Sequence, residues 1–329
     1  MEIIGHHRII QFLQKSIINN KLAHAYLFYG PAHIGKSKVA EYLAASLVCQ
    51  NQGPRAGPCG ECINCQQVLK HLHPDIYWIS EPVRPAKFYE AKPASKDKRQ
   101  IRINQIRQLK ERLTLTPFSA TYKIAIIEEA ENLTIQAANS LLKLLEEPPQ
   151  KAIIILVSKS LSGIPATIRS RTQILRFSLP PFSETISFLK KNFGLSCEKA
   201  WNLLSLALGQ PGLAIEFVEN PEKLILYQEK MAELVKILSE PQEVHYRFEK
   251  VLTIPLEVWL GVIRDLILVK LGLRPSNPAL KGSLKDLAGA YSKKKLADIA
   301  SQILETQFYL SHNVNEKLAM ENLLLTCNI

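Results

Sequence analysis

The sequence predicts an α/β domain built on a parallel sheet, followed by a region that is helical throughout. Short apolar runs alternate with segments of helical period in the first half. The runs are apolar at successive positions, as suits strands buried on both faces. Beyond residue 177 the patterning is helical only. The chain has 329 residues, and at ~150 residues per domain that is room for two or three domains. It is 47% hydrophobic and 22% charged, which excludes wholesale disorder, a collagen-like chain and a mini-protein scaffold. The longest aliphatic run, residues 152–157, falls far short of the ~18 apolar residues of a membrane span. The amino terminus lacks the charged-then-apolar order of a signal peptide. A cytoplasmic chain without a membrane partner is expected.

Residues 25–28, 76–79, 124–127, 153–157 and 174–177 read as the strands. Helical patterns start near His6, follow Lys36, and cover about 103–113 and about 134–146. Leu179-Pro180-Pro181-Phe182 reads as a linker, because proline breaks regular elements and restricts its predecessor. A short helical segment then runs to about Val218, punctuated by Gly209-Gln210-Pro211-Gly212, and a longer one fills about 220–329. The expected domains are therefore 1–178, 179–220 and 221–329.

Lysine and arginine number 41 against 30 acidic residues, a net charge of +11. Such an excess favours a polyanionic partner or ligand; solubility is the other reason for it. Ten basic and four acidic residues lie between 81 and 112. Part of the net charge therefore sits there, and the polar, proline-bearing stretch 81–100 is expected as an exposed loop.

Gly30-Pro31-Ala32-His33-Ile34-Gly35-Lys36-Ser37 fits the G-x-x-x-x-G-K-[ST] phosphate loop, and it follows a predicted strand and opens a predicted helix. Gly30 and Gly35 let the backbone turn its N–H groups inward, and the helix amino terminus adds positive potential. Lys36 is placed to reach the β- and γ-phosphates of a nucleotide, and Ser37 to ligate Mg²⁺. The alternative is an ordinary glycine turn between strand and helix. Downstream, the strand 124–127 ends in Glu128-Glu129. An apolar strand ending in two carboxylates resembles a Walker B motif, with the first acid for Mg²⁺ and the second for the attacking water. Taken alone it is also a solvated acidic strand end.

Cys59, Cys62 and Cys65 fall within seven residues, and Cys49 precedes them by ten positions. In a reducing compartment, cysteines are thiols or metal ligands rather than disulfides. Four thiolates around one tetrahedral ion make a closed structural zinc site, and Gly53, Pro54, Gly57 and Pro58 suit a loop folding back toward Cys49. An iron–sulfur cluster is the alternative, although the cysteine-proline that completes the ferredoxin run does not follow Cys65; free thiols are another. Cys197 and Cys327 stand alone in helical context, where a small buried residue is expected.

The order of these motifs resembles one family. His24-Ala25-Tyr26-Leu27-Phe28, the phosphate loop, the cysteine module after the next helix and Leu141-Leu142-Lys143-Leu144-Leu145-Glu146-Glu147-Pro148-Pro149 are similar to the AAA+ clamp-loader subunits of bacterial DNA polymerase III. Thr167-Ile168-Arg169-Ser170-Arg171-Thr172 resembles the family's S-R-C box with threonine for cysteine. Near the end, Asn313-Val314-Asn315-Glu316-Lys317-Leu318 and Glu321-Asn322-Leu323-Leu324-Leu325 look like its carboxy-terminal collar helix. The resemblance implies an AAA+ domain carrying the zinc module (49–65), a helical lid and a helical collar for oligomerisation. It also implies the other loader subunits (gamma/tau and delta) in a hetero-pentamer, the sliding clamp and primer-template DNA as partners.

Two subunit types divide that family, a motor that hydrolyses ATP (gamma/tau) and a stiff organiser (delta prime). The organiser fits better. Gly212 stands where motors place the sensor 2 arginine, a cation that stabilises transferring phosphoryl charge. Trp259 with Arg264-Asp265 resembles an organiser collar helix, and the chain stops just after the collar. His33 stands where such loops commonly have a third glycine, and its ring either crowds the phosphates or points outward. Glu128 replaces the usual aspartate, and Ser158 matches the polar sensor 1 position. Nucleotide binding with weak or absent turnover is the expectation. The resemblance also implies that Arg171 reaches the γ-phosphate of ATP held by the neighbouring subunit, as an always-charged planar donor can. Otherwise Arg169 and Arg171 solvate a helix end or contact DNA. The remaining alternatives are an active motor of the same fold and a zinc-dependent nucleic-acid reader outside replication.

Overall fold

The structure, a computed structural model, describes residues 2–51, 56–79, 100–239, 251–311 and 314–327. The chain divides into two compact units, Met1–Thr185 with Gln210–Gly212, and Ile186–Gly209 with Leu213–Ile329. Most of the basic stretch 81–100, and Gly53 and Pro54 of the cysteine loop, lie outside the described residues.

Unit 1 is a five-stranded parallel sheet. Its strands are β1 (Ala25–Tyr29), β2 (Ile76–Ile79), β3 (Lys123–Ile127), β4 (Ala152–Ser158) and β5 (Gln173–Arg176), in the spatial order β2-β3-β4-β1-β5. Successive side chains on a strand point to opposite faces, and here both faces are dry. Ala25, Leu27, Ala125, Ile127, Ile154 and Leu156 enter one core; Tyr26, Phe28, Ile124, Ile126, Ile153 and Ile155 enter the other. That two-sided burial is why the runs are apolar at every position. The first core is closed by α4 (Ile103–Thr114) and α5 (Ile135–Glu146), the second by α1 (His7–Ile18) and α2 (Lys36–Val48). α5 begins where the Thr134 hydroxyl accepts the N–H of Ala137, a side-chain cap for an otherwise unpaired donor. The strands and these helices fall within a residue or two of their expected positions. Two short helices were not legible in the sequence, α3 (Ile63–Leu69) in the cysteine module and α6 (Ala166–Arg169) before β5.

Among the described residues, unit 2 is helical only, as expected. It takes in α7 (Phe182–Phe193) from Ile186 onward, α8 (Cys197–Leu206), α9 (Pro211–Glu219) from Leu213 onward, α10 (Pro221–Ser239), α11 (Leu256–Lys270), α12 (Lys281–Ala290), α13 (Lys293–Ser311) and α14 (Glu316–Cys327). One hydrophobic core runs through it from Leu189 to Cys327, centred on the fully buried Trp259. Arg264 and Asp265 staple it. The Asp265 carboxylate accepts the Ser276 N–H at 3.0 Å and hydroxyl at 2.6 Å, while Arg264 donates to the Ser205 carbonyl at the end of α8. Cys327 is buried as expected, but Cys197 is exposed, because it opens α8 where the helix begins on the surface. No described helix is long and apolar enough to cross a membrane.

Asp75 fixes the entry to β2 and the loop before β3. Its buried carboxylate accepts the N–H groups of Phe118 (2.7 Å), Ser119 (2.8 Å) and Ala120 (3.0 Å). Burial pushes this carboxyl up; the three backbone donors and His73 outweigh burial and hold it below its ordinary value. Truncation leaves those donors without their acceptor, so Asp75→Ala is expected to cost about 3 kcal/mol. A carboxyl lowered in the native state adds stability that is complete above its unfolded pKa and is lost as pH falls through the native one. Urea titration of both proteins should therefore show the full gap at neutral pH and a shrinking one as pH falls below the ordinary aspartate value of about 3.9.

Candidate functional site

All five strands are parallel, so their carboxyl ends share one edge, the usual place for a ligand in such a sheet. The loop after β1 leaves at Gly30, where a Cβ would lie 2.3 Å from the Phe177 carbonyl oxygen. It ends at Gly35, the residue preceding α2, with φ +100°. The first N–H groups of α2 have no acceptor within the helix, which together with its dipole makes an anion site. Lys36 is buried, and its ammonium donates to the carbonyls of Gly30 (2.7 Å) and Pro31. Burial lowers its pKa to about 8; Glu131 and Glu129 oppose that shift and Lys159 adds to it. Ser37 follows, half-buried, in the first turn. Two positions without room for or tolerance of a side chain, an open helix amino terminus and one buried ammonium fit the phosphates of a nucleotide.

His33 is exposed, and what it brings to the loop is a left-handed backbone, φ +54°. Its carbonyl accepts the N–H of Gly212 at 2.7 Å. Gly212 has no space for a side chain: a Cβ would meet that same carbonyl oxygen at 2.8 Å. Gly212, expected to stand where motor subunits carry an arginine, is thus a close approach of two backbones.

Parallel pairing sets Tyr29 beside Ser158 and Ile127 beside Leu156, so Ser158, Glu128 and Glu129 emerge along the edge that carries the phosphate loop. The Ser158 hydroxyl donates to the Ser160 carbonyl at 2.7 Å. Glu129, with φ +48°, has both carboxylate oxygens engaged, one by Lys159 at 2.6 Å and the other by the Asn132 amide at 3.0 Å. Lys159 was not singled out in the sequence; a lysine after a strand carries no signal there, and only the parallel register sets it against Glu129.

Arg171 lies just past α6. Its guanidinium donates to the Thr167 carbonyl at 3.1 Å and the Ser170 hydroxyl at 3.2 Å, and pairs with Glu146 at the end of α5 at 2.8 Å. In the isolated chain it therefore caps the end of its own helix and remains 38% exposed.

The four cysteines do converge. Their sulfurs all lie within 4.8 Å of one another, with Cys49–Cys62 at 4.0 Å and Cys59–Cys65 at 3.9 Å. Metal–sulfur bonds of ~2.3 Å around a tetrahedron set sulfurs ~3.8 Å apart. The N–H groups of Cys59, Cys62 and Cys65 point at the sulfurs of Cys49, Cys59 and Cys62. Burial pushes the Cys49, Cys62 and Cys65 thiols up. At Cys62 the N–H groups of Cys65 and Gln50 and the neighbouring thiols prevail and bring it to about 6, whereas Cys65 and Cys49 stay raised. Four thiols this close cannot all ionise without a cation among them, and the set fits a tetrahedral zinc ion. α3 holds the module together: Cys62 caps it, and buried Asn64 donates to the Val48 carbonyl at the end of α2 at 2.7 Å.

Residues 5–181 match the family model described as DNA polymerase III, delta subunit. The chain is similar to the delta prime subunit of Bacillus subtilis DNA polymerase III, 27% identical over 97% of this chain and 94% of that one. It is 37% identical to the Pseudomonas aeruginosa delta prime subunit over 57% of this chain and 54% of that protein. It is also 34% identical to the tau subunit of Bacillus subtilis, over 54% of this chain but only 28% of tau. The match thus spans about half of the Pseudomonas protein and about a quarter of tau.

A methyl group at Gly212 has to push two backbones apart. Gly212→Ala is expected to destabilise unit 1 by about 1–3 kcal/mol and to raise amide exchange in the phosphate loop, read by denaturant titration and hydrogen exchange.

Proposed function

The chain belongs to the DNA polymerase III delta subunit family, and on that premise we propose that it is the delta prime subunit of the clamp loader: an organiser that supplies Arg171 in trans. The full-length likeness to a delta prime subunit carries this reading over the motor alternative. In it, the AAA+ domain (1–178), lid (179–220) and collar (221–329) join gamma/tau and delta in a hetero-pentamer in the cytoplasm. ATP binding by the neighbours closes the ring, the sliding clamp is opened and set on primer-template DNA, and hydrolysis releases it. Leu304 and Phe308 on α13, four residues apart, and Leu318 and Leu325 on α14, seven apart, are exposed. Apolar stripes at helical spacing suit a collar that packs against other subunits.

Arg171 supports its role by chemistry and by position. A guanidinium is always charged and offers a planar fork of donors. Its bond to Glu146 is an exposed ion pair, worth about 1 kcal/mol or less, so a neighbour's γ-phosphate competes easily for it. Bound nucleotide, with Mg²⁺, would occupy the loop held by Gly30, Gly35, Lys36 and Ser37, with Glu128, Glu129 and Ser158 on the adjoining strand ends. Hydrolysis here is not needed for the organiser role. The cysteine module would hold one structural zinc ion through Cys49, Cys59, Cys62 and Cys65, with no position open for chemistry.

Two outcomes are expected. In a loader reconstituted from purified motor and delta subunits, Arg171→Ala should lower DNA-stimulated ATP turnover by about 10³-fold, while Lys36→Ala should change it less than about twofold, since no step of the proposed trans mechanism uses Lys36. The reverse ranking would favour the motor reading. Elemental analysis should find one zinc ion per chain. Its removal by chelator, or Cys62→Ser, should lower the melting temperature of the isolated protein, because metal affinity of a folded-only site adds to folding stability.

A further inference from the structure

We propose that Lys159 restrains ATP hydrolysis at the phosphate loop by holding the Glu129 carboxylate in an ion pair, so that bound nucleotide is kept uncleaved. The inference rests on the nucleotide-binding reading of that loop. Hydrolysis forms a bond from a water oxygen to the γ-phosphorus and breaks the bond from that phosphorus to the bridging oxygen, whose electron pair stays with the diphosphate. The proton of the water must pass to a base, and a carboxylate on this strand edge is the group for it. Glu129 is badly placed to accept it. Lys159 Nζ sits 2.6 Å from one oxygen and the Asn132 amide 3.0 Å from the other, so both oxygens already have donors.

Lys159 is itself held from two sides. Its backbone N–H donates to the Glu131 carboxylate at 3.3 and 3.4 Å. The turn after Ser158 is tied by the Ser158 hydroxyl, which donates to the Ser160 carbonyl and accepts the Ser160 N–H at 3.2 Å. The lysine therefore leaves β4 in one direction, toward the acids that follow β3. The parallel register sets the end of β1 beside Ser158, and Lys36 feels the charges of Glu131, Lys159 and Glu129, so this ion pair lies within electrostatic reach of the phosphate loop. A cation bonded to the base lowers its basicity while leaving the anion site positive. The pair is partly solvated, with Lys159 54% and Glu129 35% exposed, so its effect is a restraint and not a complete block.

The full-length protein tests this without its partners. Lys159→Met removes the ammonium and keeps the stem; Lys159→Arg keeps the cation. Affinity is read with a fluorescent non-hydrolysable ATP analogue, and turnover by phosphate release from Mg-ATP. The expected result is at least about a fivefold rise in turnover for Lys159→Met, the scale of an exposed ion pair. Analogue affinity should stay within about threefold, Lys159→Arg should behave as the unaltered chain, and adding Glu129→Gln to Lys159→Met should cancel the gain. Unchanged turnover with intact affinity overturns the restraint alone. Affinity falling more than about tenfold in Lys159→Met makes Lys159 a phosphate ligand and overturns it as well. An unaltered chain that binds no analogue overturns the nucleotide reading, and the restraint with it.

Discussion

Everything at the candidate site depends on five strands running in one direction. Parallel pairing brings the ends of β1, β3 and β4 to a single edge, and it does so in a fixed register: Tyr29 beside Ser158, Ile127 beside Leu156. A shift of one residue would turn each strand's side chains to the opposite face, and with both faces dry that exchange would misfit the packing of two cores at once. The register that packs the sheet is therefore the same one that sets Glu129 against Lys159 and the phosphate loop beside both.

Around that edge the chain repeatedly satisfies its own charges. Lys36 donates to loop carbonyls, Glu129 is held by Lys159 and Asn132, and Arg171 by Glu146 and the carbonyl of Thr167. Each of these groups suits phosphate chemistry, and each has a partner already. The partners differ in how firmly they hold. The Arg171 pair lies on the surface, where solvent screens it and exchange is easy, whereas Lys36 is buried. That gradient leaves Arg171 easier to release than Lys36, as the proposed role in trans requires.

The cysteine module and the helical unit solve a different problem, that of holding pieces rigid. The module has few apolar residues of its own, and convergence of four sulfurs with the Asn64 anchor replaces a core. In unit 2 the Arg264–Asp265 pair spans α8, α11 and the segment at Ser276, so residues expected to form a lid and a collar share one continuous core. A shared core of this kind is what the proposed organiser role requires.

The strands were legible because burial on both faces demands apolar residues at every position, a pattern polar loops cannot imitate. The phosphate loop and the cysteines were legible because their chemistry needs fixed residue types at fixed spacing. Where the structure departs from the reading, the causes are a helix that opens at the surface, elements too short to show a period, and contacts between residues distant in the chain. Cys197 proved exposed because it opens its helix at the surface, and α3 and α6 are too short to show a period. The left-handed His33 and the tightly fitted Gly212 are joined by one backbone bond between positions far apart in sequence. Local pattern determined which elements form and which residue types could do chemistry. Only the tertiary register decided which lysine faces which carboxylate, since hydrogen-bond and ion-pair partners are chosen by distance in space.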